Sequence, residues 1–99
     1  MGRRARALTP HASVRDRFGA ELRRWRVARR LTQQALASLV WQSPETVAKV
    51  EKGERWPSRD LAERCDRVLR TGGTLVALWP AVERQRLACD RRRRSRGQP

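Results

Sequence analysis

An all-α domain is expected from three features of this 99-residue chain. Apolar residues recur at intervals of three and four from Phe18 onward, which is the period of a helix face. The runs open on Thr32, Ser43 and Ser58 and close on glycines, the residue types that cap helices. No segment alternates with period two for long enough to make a strand. The length suits one small core.

Each element has its own warrant. Phe18, Leu22 and Trp25 fall at i, i+4 and i+7 on a first helix, with Arg23, Arg24, Arg26, Arg29 and Arg30 around that stripe. Thr32 caps a short second helix, with Ala35, Leu36 and Leu39 expected inward. Trp41 and Gln42 break the pattern. Ser43 then caps a third helix, with Pro44 at its first position, where a missing N–H costs nothing. Val47 and Val50 are its inward positions, and Gly53 suits a left-handed cap at its end. Trp56 lies in the next loop. Ser58 caps a fourth helix with the stripe Leu61, Cys65, Val68 and Leu69, and Gly72-Gly73 is expected to end it. Leu75, Leu78, Trp79 and Val82 continue at helical spacing, with a kink or restart expected at Pro80. Trp25 and Trp79 are expected in the core.

The termini differ from the middle. Residues 1–13 carry Arg3, Arg4 and Arg6 and no acid, and read as a basic arm. Residues 14–88 read as the folded domain. Residues 89–99 read as an Arg-rich tail, expected to be disordered because it has almost no apolar side chain to bury.

The net charge is +14, from 24 basic and 10 acidic residues. Such an excess points to a polyanion, nucleic acid before an anionic membrane. Only Lys49 and Lys52 are lysines. A GC-rich genome accounts for Arg over Lys as well as bidentate phosphate recognition does, but it does not account for the excess itself. Cys65 and Cys89 are far apart and His11 is the only histidine, so no zinc site assembles and no cofactor is expected. No stretch approaches the ~20 apolar residues of a membrane span. A cytoplasmic, nucleoid-associated protein with free thiols is the expectation. The acids are scattered and no Gly-rich phosphate loop occurs, so enzymatic activity is not expected.

The informative stretch is Leu31–Gly53, LTQQALASLVWQSPETVAKVEKG. Two short helices joined by a tight turn make a helix-turn-helix. Val47 and Val50 would anchor the second of these from beneath. Pro44, Glu45, Thr46, Ala48 and Lys49 would then lie outside, where a major groove admits a helix.

At these residues the chain resembles the Cro/C1-type (XRE-like) helix-turn-helix DNA-binding family. The Thr-Gln opening, the Leu-Ala pair, the Ser before the third helix and Val-x-x-Val-Glu-x-Gly at its end all match. The likeness covers roughly residues 14–82. Phe18–Arg24 looks like the family's first helix, and Arg55–Trp79 looks like an actinobacterial branch. The resemblance implies a five-helix lambda-repressor-like domain that binds operator DNA, usually as a dimer, as a transcriptional regulator and more specifically a repressor. It implies phosphate contacts from Gln33 and Arg55. It implies base-edge contacts from Glu45, Thr46, Ala48 and Lys49, on a recognition helix from Ser43 to Lys52. Lys52 joins the expected phosphate set. Glu45 has two readings, an acceptor for cytosine N4 or a helix-dipole partner. Lys49 reads either a base or a phosphate. Glu51 is expected to pair with an arginine. The chain departs from the family at Trp41, where Gly is common, at Gln42, and at Pro44, which replaces a frequent hydrogen-bonding residue. Trp41 either avoids the left-handed conformation, carries strain there, or packs on the fourth helix; for Trp41 and Trp56 alike, packing within the loop is expected ahead of stacking on sugar or base. The alternative function is an antitoxin or promoter-bound adaptor that pairs with a small protein through Leu75–Leu87. Non-specific nucleic-acid coating is a third reading.

Overall fold

A computed structural model describes residues 13–97, with side chains as far as Arg92. Five helices follow one another: α1 Val14–Ala28, α2 Gln33–Leu39, α3 Pro44–Glu51, α4 Arg59–Leu69 and α5 Thr74–Gly97. No strand occurs among the described residues. The expected arm, including Arg3, Arg4, Arg6 and His11, lies outside the described residues, apart from Ser13.

The helix starts follow the caps. Ser13, Thr32, Ser43 and Ser58 each accept a backbone N–H three residues on, so each satisfies a donor that the first turn leaves without a partner. α1 is the centre of the packing and touches α3, α4 and α5; α2 lies on α3, and α4 on α5. Phe18 and Leu22 from α1 meet Leu36, Val47, Val50, Leu61, Cys65, Leu69, Leu75 and Val82 in one core. Trp25, Trp56 and Trp79 are partly buried against it.

The helix ends share one geometry. After α3, Gly53 N–H donates to Val50 O at 3.1 Å and Glu54 N–H to Lys49 O at 2.9 Å, with Gly53 at φ 73°. That is a Schellman cap, which needs a left-handed residue at its corner. α1, α2 and α4 close with the same six-to-one bond, from Leu31 to Arg26 O, Gln42 to Ala37 O and Thr71 to Asp66 O. Their corner residues are Arg30, Trp41 and Arg70, at φ 60°, 63° and 56°. Left-handed backbone costs an L-residue about 1–2 kcal/mol.

Arginine side chains complete these ends. Arg29 donates to Leu69 O at 2.7 Å and Arg70 O at 3.1 Å, binding the end of α1 to the end of α4. Arg64 donates to Val40 O at 3.3 Å. Part of the arginine content therefore holds carbonyls that helix ends leave over. Asp66 holds the next junction. Its carboxylate accepts from Leu75 N–H at 2.9 Å, Val76 N–H at 2.8 Å and the Thr71 hydroxyl, tying α4 to the first turn of α5.

Several expectations are corrected. Leu39 is half exposed, and Val40 is buried instead. The inward face of α2 is Leu36, Ala37 and Val40; at ~100° per residue Leu39 lies about 60° beyond its edge at Leu36. Trp41 does adopt the left-handed conformation. It does not pack on α4, being 81% exposed. α4 ends at Leu69, before Gly72-Gly73, because Arg70 takes the corner. α5 runs through Pro80 without a restart, held by Leu75 and Val82, which are buried on either side. It also continues past Ala88 to Gly97, where disorder was expected. Arg86 bridges that boundary, pairing with Glu83 at 3.3 Å and Asp90 at 3.1 Å, the i,i+3 and i,i+4 spacings that support a helix without any apolar face.

Candidate nucleic-acid interface

α3 presents its outer side because its inner side is taken. Val47 and Val50 are fully buried and Glu51 is 2% exposed. Pro44, Glu45 and Lys49 are exposed, while Thr46 and Ala48 are half-buried along the same surface. Ser43 is the N-cap; its Oγ accepts Thr46 N–H at 3.1 Å and lies 2.9 Å from Thr46 Oγ1. Lys49 Nζ lies 3.2 Å from Glu45 Oε2, an exposed i,i+4 pair. Exposed pairs of this kind hold only ~0.3–0.5 kcal/mol, so either side chain is easily released to another partner. Lys52, the C-cap, and Arg55, in the loop beyond it, are both exposed.

Gln33 has a more constrained position. Its Nε2 donates to Glu51 Oε1 at 3.0 Å. The same carboxylate receives Arg26 Nε at 2.6 Å and Arg26 Nη2 at 3.1 Å, a bidentate pair, and Arg26 Nη1 donates to Leu31 O at 2.8 Å. Glu51 is thus the structural, arginine-paired residue expected from the sequence. It joins the end of α3 to α1 and to the start of α2, which sets the two motif helices at a defined angle. Beside this network is an open cleft of about 670 Å³, bordered by Arg23, Arg24, Val27, Gln33, Glu51 and Lys52.

The structure therefore gathers Ser43, Glu45, Thr46, Ala48 and Lys49 along α3. It brings Gln33 and Lys52 together at the cleft, while Arg55 follows in the loop. Arg23 and Arg24 belong with the second group and were not singled out from the sequence. The only signal for them was their place on the outer side of α1, shared with other arginines that turn inward.

Among the described residues no cluster of His, Cys, Asp and Glu suits a metal ion, and no helix is long and apolar enough to cross a membrane. Burial pushes the Cys65 thiol up to about 12, with Asp66 and Glu51 adding to the effect.

Two short helices fixed against each other, with the second presenting an open polar side, define a helix-turn-helix domain, a class of DNA-binding module. A family model described as a helix-turn-helix domain matches residues 17–79, from within α1 to within α5, and the chain belongs to that family. No curated protein and no solved structure matches the chain.

Proposed function

We propose that the protein is a sequence-specific double-stranded DNA-binding transcriptional regulator, a repressor, that lays α3 in the major groove. One observation carries this reading. Val47, Val50 and Glu51 are buried beneath α3, which leaves Glu45, Thr46, Ala48 and Lys49 on an accessible face of a chain with net charge +14. The bases would be read by Lys49 and Thr46, with Glu45 either accepting from cytosine N4 or serving the helix dipole. Gln33, Lys52 and Arg55 would hold phosphates and so set register without reading sequence. Ser43 acts through the helix it caps and the Thr46 hydroxyl it holds. A homodimer on half-sites about one helical turn, ~34 Å, apart suits such a domain.

Selection of bound fragments from a random duplex pool tests this. An enriched motif is expected, and a palindrome within it would report a symmetric dimer. Lys49→Ala should then relax preference at one position per half-site and cost roughly 1–3 kcal/mol on the best site. Arg55→Ala should weaken all sequences about equally. No enriched motif, or an unchanged ranking of sites for Lys49→Ala, would count against base reading by α3.

A further inference from the structure

From Leu31 to Pro44 no residue is charged, although 34% of the whole chain is. That run makes up α2 and the turn into α3. Its surface is topped by Leu39 and Trp41, which are 51% and 81% exposed. Trp41 shares its left-handed helix corner geometry with Arg30 and Arg70. Those two residues hold charge at an exposed position. Trp41 holds an indole there, with no hydrogen bond or ring contact among the described residues.

The charges that border this patch are paired off. On α3, Glu45 Oε2 lies 3.2 Å from Lys49 Nζ. On the other side Arg64 reaches Val40 O at 3.3 Å, so α4 stands beside the end of α2. Arg64 pairs with Asp60 and Arg59 with Glu63, each at 3.1 Å. An apolar centre inside a rim of compensated charge is the anatomy of a protein interface, where tryptophan is enriched as an anchor. It is a poor seat for a polyanion or an acidic protein, since Leu31 to Pro44 offers no cation to receive one.

We infer that Leu39 and Trp41 form a self-association surface through which one copy of this chain recruits a second beside it on the same duplex. Electrostatics selects the second copy. Two chains of net charge +14 repel each other over most of their surfaces. At this patch like meets like with no opposed charges, and an isologous contact sets the indole of each copy against the apolar pair of the other. Two side chains per copy fall well short of the ~800 Å² per partner that a stable interface buries. The contact is therefore weak in solution. It becomes effective between neighbours on one duplex, where the effective concentration is on the order of mM and phosphates offset the repulsion. The inference rests on the DNA-binding reading for that setting. It goes beyond it by giving the α2–α3 turn, which reads no base, a part in assembly. Trp41 lies at the N-terminal end of α3, so coupling requires two half-sites that turn those ends of the helices toward each other.

Two measurements on the full chain test it. In the first, two selected half-sites are placed on one duplex at graded spacings, facing each other, facing away or in tandem, and stepwise affinities are read by mobility shift. The position relaxed by Lys49→Ala tells which end of a half-site is which. At one facing spacing the parent should bind its second copy roughly tenfold more tightly than its first. Trp41→Gly relieves the left-handed backbone and leaves the core untouched. It should bind a single half-site as the parent does and lose the coupling, while Trp41→Phe, which keeps a ring, should retain part of it. In the second measurement no DNA is present, and salt near ~1 M shortens the Debye length to ~3 Å and so removes the repulsion. NMR signals of the Leu39 methyls and the Trp41 indole N–H should then move with parent concentration, and the Leu39 methyls should stay still in Trp41→Gly. Coupling that survives Trp41→Gly would overturn the inference. So would a single-site affinity that falls together with the coupling, since Trp41 would then be touching DNA. A parent that binds duplex with no coupling at any spacing or orientation would overturn it as well. A parent that binds no duplex, yet self-associates through Trp41 at high salt, would sink the DNA reading and keep the surface.

Discussion

Gly19→Ala should destabilise this domain, although the same change in most helices stabilises it. In a helix interior, alanine is favoured over glycine by about 1 kcal/mol. Gly19 is buried within α1 at the place where α3 ends. A Cβ built there falls 2.5 Å from the Glu51 carbonyl oxygen and 2.9 Å from its carbon, and closer still to the Val50 oxygen. These obstacles are backbone atoms. They cannot swing aside as a side-chain tip would, and Glu51 is itself tethered to Arg26 on α1. Overpacking of a tight contact costs roughly 1–3 kcal/mol, and a rigid neighbour places this site at the upper end. Set against the ~1 kcal/mol gained in helix propensity, the net loss is about 2 kcal/mol. For a domain of this size that lowers the melting temperature by roughly 8–16 °C. Thermal melting followed by circular dichroism, with urea titration beside it, measures the loss. A variant that melts at or above the parent's temperature would refute the reasoning, because α1 and α3 could not then be in the contact described. Duplex affinity should fall as well, since separating α1 from α3 moves Gln33 and Lys52 relative to each other.

Other expectations follow from the same contacts. Glu51→Ala leaves Arg26 without its partner in a nearly buried site and should cost ~3–5 kcal/mol, read by urea unfolding; a loss under 1 kcal/mol would mean that the pair is wet or mobile. Trp41→Gly should be neutral to stabilising by up to ~1 kcal/mol, since it relieves a left-handed backbone and the indole buries little; a clear loss of stability would reveal a contact made by the ring. A thiol reagent near neutral pH should modify half-exposed Cys89 and spare buried Cys65 until the chain unfolds, so prompt labelling of both would place Cys65 outside the core. With its native value raised to about 12 from an ordinary 9.0, Cys65 also has a sign in pH: its contribution is intact below pH 9.0 and is lost as pH rises toward 12, because only the unfolded thiol ionises freely. Stability that held level across that alkaline range in a Cys89→Ser background would contradict this. Removing residues 90–99 should take away the last two turns of α5 from the helical signal and make the salt slope of duplex binding shallower, while melting of the remaining domain changes little; an unchanged slope would mean that this segment does not meet DNA.

Much of this protein could be read from local chemistry. Three helix starts were marked by a hydroxyl followed by a helical pattern, and Thr32, Ser43 and Ser58 each cap in the structure; Ser13 caps α1 as well, without having been read as a cap. Phe18, Leu22, Leu36, Val47, Val50, Cys65 and Val82 are buried, because a 3.6-residue period places them on inward faces whatever those faces meet. The outer side of α3 was legible for the same reason. The pairing of Glu51 with an arginine was also legible, though not which arginine.

What local pattern could not reach was decided by neighbours distant in sequence. Eighteen residues separate Gln33 from Glu51 and twenty-five separate Arg26 from it, so their shared network exists only once α1, α2 and α3 are assembled. Arg23 and Arg26 lie on α1 and Arg29 is its C-cap, all with the same chemistry. Packing alone sends Arg26 to a carboxylate and Arg29 to carbonyls, and leaves Arg23 at the edge of a cleft. The sequence by itself determined the helices, their caps and most of their buried faces, because those depend on residues within a turn or two of each other. Tertiary structure alone decided which glycine is a contact point, which tryptophan stays outside and which arginines remain free for a partner, because each depends on what the opposite surface offers.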